Sequence, residues 1–383
     1  LVGSEMCIRD RSLLNLGVVF QDVGEFEEAV QVLEYASTLD SSVETYVNLG
    51  SALVNLCRYD EAIKSFSEAL VRNPQHVPAL CNRALAYNDL GQFDLADADV
   101  ESALAIQPEN VEANWCKAIN LISMGQFQAG WRYYEWRTEN PRLNTRIPST
   151  SRPRWDGVGG VDRLLICGEQ GLGDEIFFAS ALSVASCLAR EILVQVDRRL
   201  VPLLSRSFPG FRFFGSDEVV DEGCYDRYLM IGSLFKVLQG RIEDAERVTR
   251  KPFLKVDEAR VEEIRKSLKV DGRKLCGITW KSQRAEFGSR KSLTLEDLRP
   301  VLSQPGIRFV SLQYGDVAAE IEEFRQKTGI LIEQYAGVDN FSDMDGHAAL
   351  VEACDFVVLV SNTTAHIAGA LGKPGVVLLP FGR

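Results

Sequence analysis

Apolar positions in the first third of the chain recur at a fixed interval. Phe26, Tyr59, Phe93 and Phe127 are spaced by 33, 34 and 34 residues. Ala29, Ala62 and Ala96 follow each aromatic by three positions, and Gly130 takes that place in the last copy. Gly17, Gly50, Ala84 and Ala118 keep the same intervals, and Pro74 and Pro108 are 34 apart. A small position facing a large one lets two helices approach closely. A unit of this length leaves an apolar face that its neighbour must cover. The pattern predicts about four helical hairpins over 12–137, with a concave surface for a protein or peptide. A stack that merely carries the next domain is the alternative.

The pattern changes after 130. Trp131, Tyr133, Tyr134 and Trp136 crowd together, then Pro141, Pro148 and Pro153 stand among polar residues. Proline and polar residues mark a linker over 138–160. The aromatics are expected to wedge the last hairpin against the next domain, since such side chains bury large apolar areas. From Arg163 onward short apolar runs alternate with helical patterns. Strands are expected at Arg163–Cys167, Ile192–Val196, Leu275–Trp280, Arg308–Leu312, Phe356–Val360 and Gly375–Leu379, with further apolar runs at Arg212–Phe214 and Tyr228–Ile231. Helices are expected at Glu258–Leu268, Leu293–Leu302, Val317–Thr328, Ala348–Ala353 and Ala365–Leu371. Strand–helix alternation predicts parallel sheets covered on both faces. Two such sets, 161–256 and 257–383, predict two Rossmann-like halves with a cleft between them.

Composition sharpens this in three ways. The net charge of −12 and the lack of a Lys/Arg run argue against nucleic acid. The nine cysteines include no Cys-x-x-Cys pair, so they read as free thiols in a reducing, cytoplasmic setting. No apolar run approaches the ~20 residues of a membrane helix. The first residues, 1–11, lie outside the repeat and read as a ragged or foreign start.

Three stretches carry candidate chemistry, each following a predicted strand. The first is Gly168-Glu-Gln-Gly-Leu-Gly-Asp174, a glycine loop entering a helix. Gly171 and Gly173 allow a ligand to come close. Asp174 would repel a phosphate and so suits an acceptor, although a helix cap is its plainer role. The second is Ser361-Asn-Thr-Thr-Ala-His366. Ser361, Asn362, Thr363 and Thr364 offer hydroxyl and amide groups at a helix N-terminus, where a diphosphate finds free N–H groups. His366 could add a hydrogen bond or a charge, or simply bond a neighbouring loop. The third is the basic loop 281–291, with Lys281, Arg284, Arg290 and Lys291. It could neutralise a departing diphosphate, or be a solvated surface loop. Asp343-Met-Asp345 could pass for a metal-binding pair, but it precedes a helix and reads as an N-cap. No metal or cofactor is expected.

Residues 12–137 resemble tetratricopeptide repeats, and 163–383 resemble glycosyltransferase family 9, the heptosyltransferase group. The second resemblance rests on Trp131–Arg137, Pro153–Gly157, Gly168–Asp174, Arg308–Gln313, Gly369–Pro374 and Leu378–Phe381. It implies an α-solenoid followed by a two-lobed GT-B transferase, acting by inversion and without metal. The donor would be a nucleotide-sugar, the acceptor a protein or cell-surface glycan recruited by the repeats. By the same resemblance Asp174 is the general base and Lys291 holds phosphate. Glu320 would bind the nucleotide, and Ser361–His366 match the family's Asp-Thr-x-x-x-His segment. Ser361 and Asn362 replace the usual Asp and Thr, which leaves a non-catalytic repeat scaffold with a decayed transferase as the alternative. The family layout also implies a closing C-terminal helix, so the chain is expected to stop short of it.

Overall fold

The structure is a computed structural model that describes residues 2–143, 145–239, 251–268, 271–282 and 291–379, with the backbone alone over 2–11. The chain divides into two compact units, 1–143 and 144–380, with 381–383 grouped with the first. None of the described helices is long and apolar enough to cross a membrane.

The first unit is a run of antiparallel helix pairs: α1 (Val2–Asp22) with α2 (Phe26–Leu39), α3 (Val43–Asn55) with α4 (Tyr59–Arg72), α5 (Val77–Asp89) with α6 (Phe93–Ile106), and α7 (Val111–Ser123) with α8 (Phe127–Tyr133). Each periodic aromatic is the first residue of the second helix of its pair. The small positions are places of close approach. A Cβ on Gly17 would lie 2.5 Å from the Leu33 side chain, and one on Gly50 would lie 2.5 Å from Phe66. Ser42, His76 and Asn110, also 34 apart, each accept a hydrogen bond from the backbone N–H three residues on, capping α3, α5 and α7. His76 is therefore a helix cap.

The aromatic cluster closes the far end of this unit. Trp131 and Tyr134 are buried, edge to face at 5.2 Å, and Trp115 lies 5.3 Å from Tyr134. The buried Arg137 guanidinium stacks 4.7 Å over the Tyr134 ring. These aromatics pack on one another and on α7.

The second unit holds two parallel sheets. The first contains β1 (Val161–Cys167), β2 (Ala189–Val196), β3 (Arg212–Gly215) and β4 (Arg227–Met230) in the order β3-β2-β1-β4. The second contains β5 (Lys274–Ile278), β6 (Ile307–Ser311), β7 (Ile332–Glu333), β8 (Phe356–Val360) and β9 (Gly375–Leu378) in the order β7-β6-β5-β8-β9. Each sheet is built outward from its first strand and then on its other side. The reversal leaves a crevice at the strands' carboxyl ends, where ligands settle in such sheets. Helices that position this edge are α9 (Leu172–Ala179), α10 (Val201–Ser207), α11 (Leu234–Leu238), α12 (Glu258–Leu268), α13 (Arg299–Leu302), α14 (Ala318–Thr328), α15 (Met344–Ala353) and α16 (Thr363–Leu371).

Two stretches differ from expectation. Part of the expected linker pairs with the free edge of β4. The Trp155 N–H donates to Tyr228 O at 2.8 Å, the Tyr228 N–H donates to Pro153 O at 3.3 Å, and Trp155 is buried. A parallel strand with an open edge offers unpaired groups, and this segment satisfies them. The expected helix Leu293–Leu302 is regular only over Arg299–Leu302, because Asp297 accepts hydrogen bonds from both the N–H and the hydroxyl of Thr294 and tightens the entry. Among the described cysteines all are free thiols, and Cys81, Cys116, Cys167, Cys276 and Cys354 are buried.

Candidate functional site

The glycine loop follows β1 and enters α9. Its only left-handed residue among those described is Gln170, at φ 63°, while Gly171 is extended. The glycines serve close approach instead. Gly168 lies against the Glu175 carboxylate, and a Cβ on Gly173 would sit 2.8 Å from the His366 ring. The sequence therefore brings two of its three candidate stretches together: the loop of β1 rests on the first turn of α16. Asp174 is half-buried, and its Oδ2 accepts a hydrogen bond from the Gly171 N–H at 3.2 Å.

His366 is exposed on one edge and crowded on the other by Gly173 and by Phe177, whose ring centroid is 6.5 Å away. Loss of water on the crowded side lowers its pKa; the Asp174 carboxylate opposes that shift and the Lys291 ammonium adds to it.

Other candidates are held by protein partners. Lys281 donates to Glu320 Oε2 at 2.6 Å, and the Trp280 indole N–H donates to Glu320 Oε1 at 3.1 Å. Asn362 caps α16 by accepting from the Ala365 N–H at 3.4 Å, and its amide donates to Lys281 O at 3.3 Å. Thr364 is buried against His347. Thr363 remains at the pocket wall, and Ser361 is half-buried at the end of β8. Arg284 and Arg290 lie outside the described residues, but the stem of their loop is closed by the Ser282 N–H donating to Ser292 Oγ at 3.0 Å.

The pocket beside this contact is lined from both sheets. Gln170, Gly171, Leu172, Glu175, Asp197 and Arg199 come from the first, and Tyr314, Asn340, Phe341, Met344, His347, Thr363 and Thr364 from the second. Several were missed in the sequence. Glu175 is buried and accepts the Asp197 N–H at 2.7 Å; desolvation pushes its pKa up to about 8 despite that bond. Arg199 donates to both carboxylate oxygens of Asp197 at 2.9 Å and to Phe341 O at 3.2 Å, and its guanidinium lies 4.9 Å from the Phe341 ring centroid. That guanidinium holds Asp197 below the usual carboxylate range. His347 is fully buried, and burial lowers its pKa to about 4. The Asn340 amide nitrogen donates to Gln313 O at 3.2 Å, so its oxygen faces the His347 ring. Nδ1–H of His347 donates to that oxygen at 2.9 Å, and Nε2 accepts the Thr364 hydroxyl at 3.0 Å. One signal was available: Asp197 and Tyr314 stand just beyond the carboxyl ends of β2 and β6.

Asp343 and Asp345 are structural. Asp343 accepts the Gly346 N–H at 2.8 Å, capping α15, and pairs with Arg260. Asp345 forms a two-pronged ion pair with Arg206 at 2.5 and 2.9 Å. Among the described residues no group of three His, Cys, Asp or Glu is placed to hold a metal ion.

Three tetratricopeptide-repeat profiles match the chain, at residues 12–42, 43–76 and 77–110. Residues 12–110 are tetratricopeptide repeats. The helix pair α7 and α8 continues their architecture. Over nearly its full length the chain is similar to Protein FlbA of Caulobacter vibrioides, with 33% identity over 388 residues, covering 94% of this chain and 64% of that protein. The chain thus spans less than two thirds of that relative. The repeats alone are similar to Hsp70-Hsp90 organizing protein 3 of Arabidopsis thaliana, at 31% identity over 114 residues, 30% of this chain and 20% of that protein. Among solved structures, MamA matches at 26% identity over 34% of this chain and 77% of that one, with a TM-score of 0.32.

Proposed function

We propose that the 144–380 unit is a sugar transferase that uses a nucleotide-diphosphate sugar, and that the repeats recruit its protein or glycan acceptor. The observation that carries this reading is the meeting of the β1 loop, which bears Asp174, with His366 in the first turns of α16. Transfer from such a donor needs a base for the acceptor hydroxyl and positive charge for the leaving diphosphate. Asp174 takes the proton. Lys291, Thr363, His366 and the N-terminus of α16 receive the diphosphate. Lys281 and Glu320 orient the turn after β5 through their mutual pair instead of facing the ligand as free charges.

A second reading, a repeat scaffold whose transferase part has lost activity, is favoured by one observation. Asn362 stands where the family has Thr, and its side chain is committed to the α16 cap and to Lys281 O. Calorimetric titration with UDP, GDP, ADP and CDP in EDTA separates the two. The transferase reading expects one nucleotide to bind saturably and Lys291→Ala and His366→Ala to weaken it at least tenfold. Absence of binding by all four leaves the scaffold.

A further inference from the structure

Phe341 is an apolar ring kept in water. It is 54% exposed, and its backbone is pinned on both sides. Asp339 Oδ1 accepts the Phe341 N–H at 2.8 Å and the Ser342 N–H at 3.3 Å, and Asp339 Oδ2 accepts the Ser342 hydroxyl at 2.7 Å. From beyond the end of β2, Arg199 donates to Phe341 O and lays its guanidinium over one face of the ring. Asp197 in turn accepts from Arg199 through both carboxylate oxygens. A guanidinium held over an aromatic face fixes the ring by charge and contact without burying it. One exposed apolar side chain is ordinary on any surface. Phe341 differs because two cavities share it as a wall.

In the first cavity, Gln170 and Gly171 stand in the loop that carries Asp174, and Thr363 opens α16. With Asp174 taking the acceptor proton and α16 receiving the diphosphate, the sugar in transit lies between those two walls. The cavity meets it with neutral hydrogen-bonding groups, Gln170 and Thr363 among them, and with an aromatic face, while the Arg199 charge is matched by Asp197. A pyranose has the complementary chemistry, with hydroxyls at its rim and C–H bonds over its face. The C–H face meets the negative π-face of an aromatic ring, and the rim meets amides and hydroxyls. The second cavity, lined by Gln313, Tyr335 and Val338, offers the ring a competing occupant, the nucleotide base. The first is favoured because Gln170, Gly171 and Thr363 border it and not the second.

We propose that Phe341 is the stacking platform for the sugar being transferred, and that this sugar is a pyranose. The inference rests on the transferase reading above and names what its crevice holds.

The test titrates the full chain with UDP, GDP, ADP and CDP and with UDP-glucose, GDP-glucose, ADP-glucose and CDP-glucose. For the nucleotide that binds, Phe341→Ala should weaken the glucose ester about fivefold more than the free nucleotide. Phe341→Leu keeps apolar bulk without a π-face and should also weaken the ester more than the nucleotide. Phe341→Tyr keeps the π-face and should bind both as the parent does. Circular dichroism and thermal melting verify that each variant is folded; the exposed position makes this the expected result. Equal weakening of nucleotide and ester overturns the proposal, because the ring then serves the base or merely holds its loop. So does unchanged binding of both, or a nucleotide that binds while its glucose ester does not. In each of these cases the parent still binds a nucleotide, so the transferase reading stands and only the platform falls. If the parent binds none of the eight, the transferase reading falls and the platform with it.

Discussion

Glu175 and Gly173 are one residue either side of the carboxylate that drew attention in the sequence, and each makes a prediction. Glu175 is buried with its pKa pushed up to about 8, so the folded chain favours its protonated form. Its contribution to stability is fully present below the unfolded value of 4.5 and is lost as pH rises through about 8. The full swing is on the order of 5 kcal/mol. Glu175→Gln keeps an oxygen for the Asp197 N–H and removes the ionisation, so it should be more stable than the parent in urea at about pH 9 and similar at about pH 5. A parallel loss of stability in both proteins over that range would contradict the burial argument. Gly173 makes a steric prediction. A methyl there meets the His366 ring at 2.8 Å, so Gly173→Ala should cost ~1–3 kcal/mol. His366→Ala opens the space. Thermal denaturation of the double variant should recover most of that loss; simple additivity would mean that the loop does not rest on the ring. Neither role could be read from the loop sequence, where glycines suggest turning and the left-handed position falls on Gln170.

At the scale of elements, legibility followed how local the determinant was. Glu258–Leu268 and Phe356–Val360 were read to the residue, because each is set by its own apolar spacing and flanking signals. The repeat helices were read from one aromatic per hairpin. By contrast, the two-residue β7 is too short to show a period, and the pairing of Pro153–Trp155 with Tyr228 at the edge of β4 depends on a partner some 75 residues away in sequence. The clamp of Asn340, His347 and Thr364 joins residues 7 and 17 apart that share no motif. It holds α15 to the N-terminal turn of α16. Because burial lowers His347 to about 4, the folded chain resists its protonation. Its contribution is present above the unfolded value of 6.5 and is lost as pH falls from there through about 4. Glu175 works in the opposite direction over part of that range, so the acid-side loss should steepen once Glu175→Gln is introduced and ease when His347→Gln is added to it. A solenoid end is a third such element. Trp131, 6% exposed, seals the last helix pair, and Trp131→Ala should cost ~3–5 kcal/mol by urea denaturation. A cost below ~1 kcal/mol would mean that the cluster does not hold that end.

For the whole molecule, the helical hairpins and the two parallel sheets belong to separate compact units. The repeats are stabilised hairpin against hairpin within the first unit. The crevice at the strand ends is lined within the second, where Arg206–Asp345 and Arg199–Phe341 tie the two sheets' helices and loops to each other. A ligand that binds only the folded form of one unit raises the stability of that unit by RT ln(1 + [L]/Kd), about 2.7 kcal/mol at a hundred times Kd. Calorimetry of the full chain should therefore resolve separate unfolding events. The nucleotide identified by titration should move the event that Glu175→Gln and His347→Gln also move. Trp131→Ala should move the other event alone. If the nucleotide shifted both events together by similar amounts, the units would be coupled. If it shifts one alone, the proposed recruitment by the repeats would act through effective concentration. Arg206→Ala distinguishes the remaining possibility. It removes one tie within the second unit, so it should lower nucleotide affinity while leaving the first unit's unfolding event unchanged.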